Sequence, residues 1–104
     1  MEQRRTRRFK LQLPLSIIRS GAERVSLTGQ TKNISSTGVL FTSVRGPEPG
    51  GPIEYVILLN RDGAQAVSIR CIGKVVRAER TISPDAPTFE VAATLERYEF
   101  ARER

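Results

Sequence analysis

The apolar residues of this chain recur with a period of two rather than three to four. Leu11, Leu13, Leu15 and Ile17 alternate with Gln12, Pro14, Ser16 and Ile18, the pattern of a strand with one face turned inward. Pro14 has no amide donor, which restricts that strand to a sheet edge or a bulge. Val25, Leu27 and Gly29 lead toward Lys32 as a second strand, and Val39 to Phe41 form a short third. The run Gly46-Pro47-Glu48-Pro49-Gly50-Gly51-Pro52 excludes helix and central strand, because proline lacks a donor and glycine loses the most entropy on ordering. It reads as a loop. Ile53 to Leu59 is apolar almost throughout, as in a strand buried on both faces, and Asn60-Arg61-Asp62-Gly63 supplies turn residues for a hairpin. Val67, Ile69 and Cys71 then alternate with Ser68 and Arg70 until Ile72, Gly73, Val75 and Val76 break the period, which predicts a bulge or bend near Gly73. Thr81 to Pro87 reads as a loop, and Phe89, Val91, Ala93 and Leu95 as the last alternating set. Arg97 to Arg104 is densely charged and reads as a fraying helix or a tail.

Six short strands with turn chemistry between them, and little helix, define an all-β chain, a sandwich or a barrel. A small six-stranded antiparallel β-barrel is favoured, because closure removes the exposed strand edges that invite aggregation. With 104 residues and 38% hydrophobic content, one core and one domain are expected. The boundaries read as a basic N-terminal segment over 1–10, a barrel over 11–98 and a C-terminal tail over 99–104.

Charge adds a location. The chain carries a formal net charge of +6, and the first ten residues hold Arg4, Arg5, Arg7, Arg8 and Lys10 against Glu2 alone. Such a cluster is either a solvated basic tail or the contact for an anionic partner. No signal peptide is legible, and the longest apolar run, Tyr55 to Leu59, is far too short to cross a bilayer; no membrane insertion and a cytoplasmic location are expected. With no His and a single cysteine, Cys71, an internal disulfide is impossible and a metal site is not expected. Catalysis is poorly supported too: no group is suited to shuttle protons near neutral pH, no phosphate loop is present, and the carboxylates are scattered. Cys71, inside a strand pattern, is assigned to the core. The chain is expected not to be an enzyme and to need no cofactor.

Two local patterns remain. Arg4-Arg5-Thr6-Arg7-Arg8 gives an Arg-x-x-x-Arg spacing just before the first strand, and Asn33-Ile34-Ser35-Ser36-Thr37-Gly38 gives Asn-x-Ser-x-x-Gly just before the third. Either alone is common in tails and turns. In this order within an all-β pattern, they resemble the paired signature of the PilZ family, in which Arg-x-x-x-Arg on a mobile leader and Asp/Asn-x-Ser-x-x-Gly on the barrel clamp cyclic di-GMP. Leu13-Pro14-Leu15, the glycine-rich loop before Ile53 and the late Phe89-Glu90-Val91 strand are similar as well, so the resemblance spans about residues 4 to 96. It implies a receptor that changes conformation on binding the messenger and signals to an unidentified downstream protein. The implied ligand-binding residues are Arg4, Arg8, Asn33, Ser35 and Gly38, with Arg5 assisting at phosphate. Asn33, in place of the commoner Asp, removes a charge that would pair with guanine donors, which lowers the expected affinity.

Elementary chemistry agrees with that expectation. A guanidinium engages phosphate or guanine acceptors through two parallel donors and stacks on a base. Each charge-assisted contact contributes about 1.5–3 kcal/mol, while ordering one residue of a loose leader costs about 1–2 kcal/mol. Several arginines are therefore needed to reach the roughly 8 kcal/mol of micromolar binding. On the barrel side, Asn33 offers an amide to a guanine edge, Ser35 a hydroxyl, and Gly38 both close approach and access to positive φ. Two other readings compete: a barrel of the same kind that binds only protein, and a small basic barrel that binds RNA or single-stranded DNA. The second would need stacking platforms, and of six aromatic residues Phe9, Phe41, Tyr55 and Phe89 read as structural, which argues against a nucleic-acid polymer.

Overall fold

The structure is a computed structural model that describes residues 9–60, 66–81 and 88–103. Arg4, Arg5 and Arg8, the expected turn at Arg61, Asp62 and Gly63, and most of the expected loop before β6 lie outside the described residues. The described chain is all strand: β1 Pro14–Ser20, β2 Glu23–Ile34, β3 Gly38–Ser43, β4 Pro52–Asn60, β5 Ala66–Thr81, β6 Thr88–Thr94 and β7 Arg97–Glu103. Strand order is β4-β1-β2-β3-β6-β5-β7, and β4 also pairs with β5. The first six strands therefore close into an antiparallel barrel, and β7 is an addition to it.

Alternation puts the core where the sequence predicts it. Leu15, Ile17, Val39, Phe41, Ile53, Tyr55, Ile57, Cys71, Val75, Val91 and Ala93 are buried in one cluster. Burial pushes the Cys71 thiol up to about 12, which leaves it protonated and unreactive at neutral pH. Phe41 and Tyr55 pack tilted at 5.6 Å between ring centroids, and the Tyr55 hydroxyl donates to the Thr94 carbonyl at 3.0 Å. A buried phenol thus has its partner. The outer face of β4 is also covered at Glu54, which is 8% exposed and receives Arg70 Nε at 2.7 Å and Arg19 Nε at 3.1 Å.

Two expectations are corrected. Pro14 is at neither an edge nor a bulge: β1 lies between β2 and β4, and the proline is its first residue, one position before pairing with β4 begins at Leu15. The missing donor falls where the β4 ladder has not yet started. The second correction is at the C-terminus, where residues 97–103 are neither helix nor tail but a strand paired with Ile72 to Ala66 of β5. β5 is long enough, Ala66–Thr81, to make this possible. Its first half pairs with β4 on one edge and β7 on the other, and its second half pairs with β6 on that same second edge.

The irregularity predicted near Gly73 is the β5–β6 register slip between Val75 and Arg77, and the glycine itself has a steric cause. A Cβ on Gly73 would fall 1.9 Å from the Thr94 carbonyl oxygen, so the β5 backbone can approach the end of β6 only without a side chain. Thr94 also accepts the Lys74 amide on its hydroxyl at 2.8 Å. Gly73→Ala is expected to destabilise the protein by about 3 kcal/mol, at the upper end of ordinary overpacking, read as a lowered urea midpoint with an unchanged slope. An unchanged midpoint would contradict this packing. Glu54 provides a second check. The Arg70 hydrogen bond is the largest influence on it and, with Arg19, outweighs burial, which holds its carboxyl below the ordinary 4.5. A depressed folded-state value means stability is present above pH 4.5 and lost as pH falls through that value. Glu54→Gln should therefore melt below the parent at neutral pH, with the gap narrowing as pH drops below 4.5; a gap independent of pH would show that the ion pairs contribute nothing.

Candidate functional site

Side chains along a strand alternate between faces, so Thr31 and Asn33 should point the same way, as should Val75 and Arg77. They do not. The β2–β3 register slips between Thr31 and Asn33, pairing Thr31 with Phe41 but Asn33 with Leu40. The β5–β6 register slips between Val75 and Arg77, pairing Val75 with Ala93 but Arg77 with Ala92. Each slip inserts one extra residue, Lys32 or Val76, and flips the residues after it to the opposite face. Thr31 and Val75 stay inside, at 0% and 2% exposure. Asn33 and Arg77 emerge outside, at the two ends of one cross-strand row: Asn33, Leu40, Ala92, Arg77.

That row floors a shallow cavity of about 250 Å³, which Ser35, Thr37, Gly38, Val76 and Thr94 help to line. Its middle is small and apolar, and its ends carry an amide and a guanidinium. Such an arrangement suits a flat heterocycle with polar edges accompanied by an anion. Two carboxylates near the cavity have their own cations, whereas Glu96 accepts the hydroxyl of the cavity-lining Thr94 at 3.0 Å. Glu90 is paired with Lys32 at 2.5 Å, and Glu79 with Arg77 at 3.6 Å. The Arg77–Glu79 pair is exposed and therefore weak, so a ligand anion can displace Glu79.

Ser35 and Gly38 build the turn between β2 and β3. The Ser35 amide donates to the Gly38 carbonyl at 2.9 Å, and the Ser35 hydroxyl oxygen accepts the amides of Thr37 at 3.3 Å and Gly38 at 3.1 Å. The hydroxyl can itself donate to the Gly38 carbonyl at 3.2 Å. Ser35 is thus first a turn-forming residue. Gly38 does not use the left-handed backbone region, since only Gly21 and Gly50 have positive φ among the described residues. It is needed for proximity: a Cβ there would sit 3.0 Å from the Ala93 carbonyl oxygen of β6.

The leader reaches this same end of the barrel. Phe9 donates its amide to the Ile34 carbonyl at 2.8 Å and accepts the Ile34 amide at 2.9 Å. Further along, the Thr31 amide donates to the Leu13 carbonyl, while the buried Thr31 hydroxyl accepts the Leu13 amide at 2.9 Å and donates to the Leu11 carbonyl. Phe9 to Leu13 therefore run antiparallel to the end of β2, and Phe9 lies beside the residue after Asn33. Asn33, Ser35 and Gly38 are brought together, and the described part of the leader joins them. Sequence reasoning missed Arg77, Leu40, Ala92 and Thr31. Arg77 carried no motif, and only its position one residue beyond a broken period hinted at an outward turn.

No curated protein and no solved structure matches the chain. Among the described residues no helix is long and apolar enough to cross a membrane. The family model of the PilZ domain matches residues 2–95, from the basic leader through β6. With nearly the whole chain matched and the six-stranded barrel in place, the chain belongs to the PilZ domain family, a family of cyclic di-GMP receptors.

Proposed function

We propose that this protein is a cyclic di-GMP receptor that works in the cytoplasm as a binding module rather than an enzyme, with the messenger seated on the Asn33–Leu40–Ala92–Arg77 row. The observation that carries the reading is the pairing of Phe9 with Ile34, which tethers the basic leader at the edge of the polar turn. Arg8 is the next residue upstream, and Arg4 and Arg5 follow within a contour of roughly 3.3–3.6 Å per residue. A cavity of about 250 Å³ is smaller than the ~300–1,000 Å³ of ordinary ligand sites. The barrel face alone buries too little of a dinucleotide, and a second element must close over it. The leader supplies that element, with Arg4 and Arg8 on phosphate or guanine and Arg5 assisting.

In this reading Asn33 meets the polar edge of a guanine, and Gly38 keeps the turn low enough for the ligand to pass. Ser35 holds the turn and can redirect its hydroxyl hydrogen from the Gly38 carbonyl to the ligand. Arg77 faces the opposite edge and takes a phosphate or a guanine oxygen. Closure of the leader changes the surface at one end of the barrel, and a downstream protein senses that change. No cofactor enters this scheme.

Calorimetric titration of the full chain with cyclic di-GMP should give heat at ligand concentrations on the order of tens of micromolar, and Arg4→Ala or Arg8→Ala should abolish it. Absence of heat for the parent chain would overturn the proposal. Competition with an oligonucleotide separates this reading from a nucleic-acid binder, whose affinity would fall steeply with salt. Arg77→Ala is expected to weaken cyclic di-GMP binding about tenfold or more, the equivalent of one charge-assisted contact of roughly 1.5–3 kcal/mol. Its melting temperature should stay at the parent value, because only an exposed ion pair is lost. Unchanged affinity would remove Arg77 from the site.

A further inference from the structure

β7 lies beyond the family match, which ends at residue 95. It is the terminal strand of the sheet, and among the described residues it is paired along one edge only, with β5. Opposite residues of a strand pair share a face. Tyr98 and Phe100, set against Cys71 and Ile69, therefore occupy the face that is inside the barrel elsewhere. Here, among the described residues, nothing covers that face, and the two rings are 58% and 64% exposed, in edge contact at 5.9 Å. An open strand edge beside two exposed aromatic rings is a pairing template.

The charges of β7 specify the occupant. Two copies of the strand can pair antiparallel about a two-fold axis, and since opposite residues must share a face, that axis passes through a residue. Through Phe100 it opposes Arg97 to Glu103 of the other copy at both ends, Glu99 to Ala101, and Phe100 to itself, with all seven residues of β7 in the pair. Moved to Glu99 the axis sets that glutamate against its own copy. Moved to Ala101 it sets Glu99 against Glu103, and moved to Arg102 it opposes two arginines. Moved to Tyr98 it pairs few of the strand's residues. Like charges directly opposite are destabilising, and opposite charges and aromatic pairs are favourable. In the favoured register the diagonal neighbours Tyr98 and Phe100 of the two copies form one continuous aromatic cluster, within reach of large side chains.

We propose that β7 is a homodimer interface, through which two copies of this chain pair strand to strand about an axis at Phe100. The charges on the edge select a register rather than forbid pairing, and the two barrels become one continuous sheet across the axis. The interface is separate from the Asn33–Arg77 row and stands whether or not that row binds a nucleotide. Sedimentation of the full chain should give twice the chain mass. Arg97→Glu and Glu103→Arg, each of which opposes like charges twice, should each sediment as monomer. The combined variant, R97E with E103R, restores opposite charges and should return to dimer. A monomeric parent chain, a dimer that survives either single swap, or a double variant that folds as monomer would overturn the proposal.

Discussion

Face alternation along a strand is the constraint on which this molecule depends, and two of the places where it is broken, in β2 and β5, create the candidate site. A barrel with an unbroken period of two would bury every second residue of β2 and β5, including Asn33 and Arg77. An unpartnered amide and guanidinium inside so small a core would cost several kcal/mol. The slips at Lys32 and Val76 avoid that cost and place both groups on one outer row. The same slips add twist and bend, which a closed six-stranded barrel requires in any case. Barrel closure and the aiming of the site are therefore one geometric event.

Thr31 ties the leader into that event. As the last inward residue before the first slip it is fully buried, and a hydroxyl there must find partners. It finds Leu11 and Leu13 of the leader rather than another strand. A buried polar group on β2 thus anchors the segment whose upstream arginines are proposed to close over the ligand. Phe9 to Leu13 are pinned by hydrogen bonds to β2, and the leader's proposed share of ligand contact falls upstream of the pin.

The alternating runs made the core legible, from Leu15 and Ile17 through Ile53, Tyr55 and Ile57 to Val91 and Ala93, and the broken period near Gly73 made the β5 slip legible. Paired motifs drew Asn33, Ser35 and Gly38 together, and all three line the cavity. The β2 bulge was the main obstacle, since the inserted Lys32 leaves no mark in the pattern. Arg77, one residue past Val76, reads as an ordinary exposed strand residue until its register is known. Of the two reasons the sequence offers for Gly38, positive φ is not used; close approach is, but to the Ala93 carbonyl of a strand distant in sequence. β7 was hidden by its charge. Arg97-Tyr98-Glu99-Phe100 has a period of two, but with polar residues at every other place and no core above the rings it resembles a solvated end.

β7 and the Asn33–Arg77 row also differ in where they attach to β5. The row lies across β2, β3, β6 and the second half of β5, whereas β7 hangs on the first half of β5. Between them Gly73 closely approaches Thr94 and the Glu96 amide donates to the Ile72 carbonyl at 2.9 Å. Thr94 itself lines the cavity and accepts the Tyr55 hydroxyl on its carbonyl. Shortly after it the chain enters β7 at Arg97. The Gly73–Thr94 contact is close-packed, with no room even for one extra carbon at Gly73. Thr94 to Arg97 is thus the covalent link between the row and β7, and it is also the stretch held against β5 at Gly73 and Ile72.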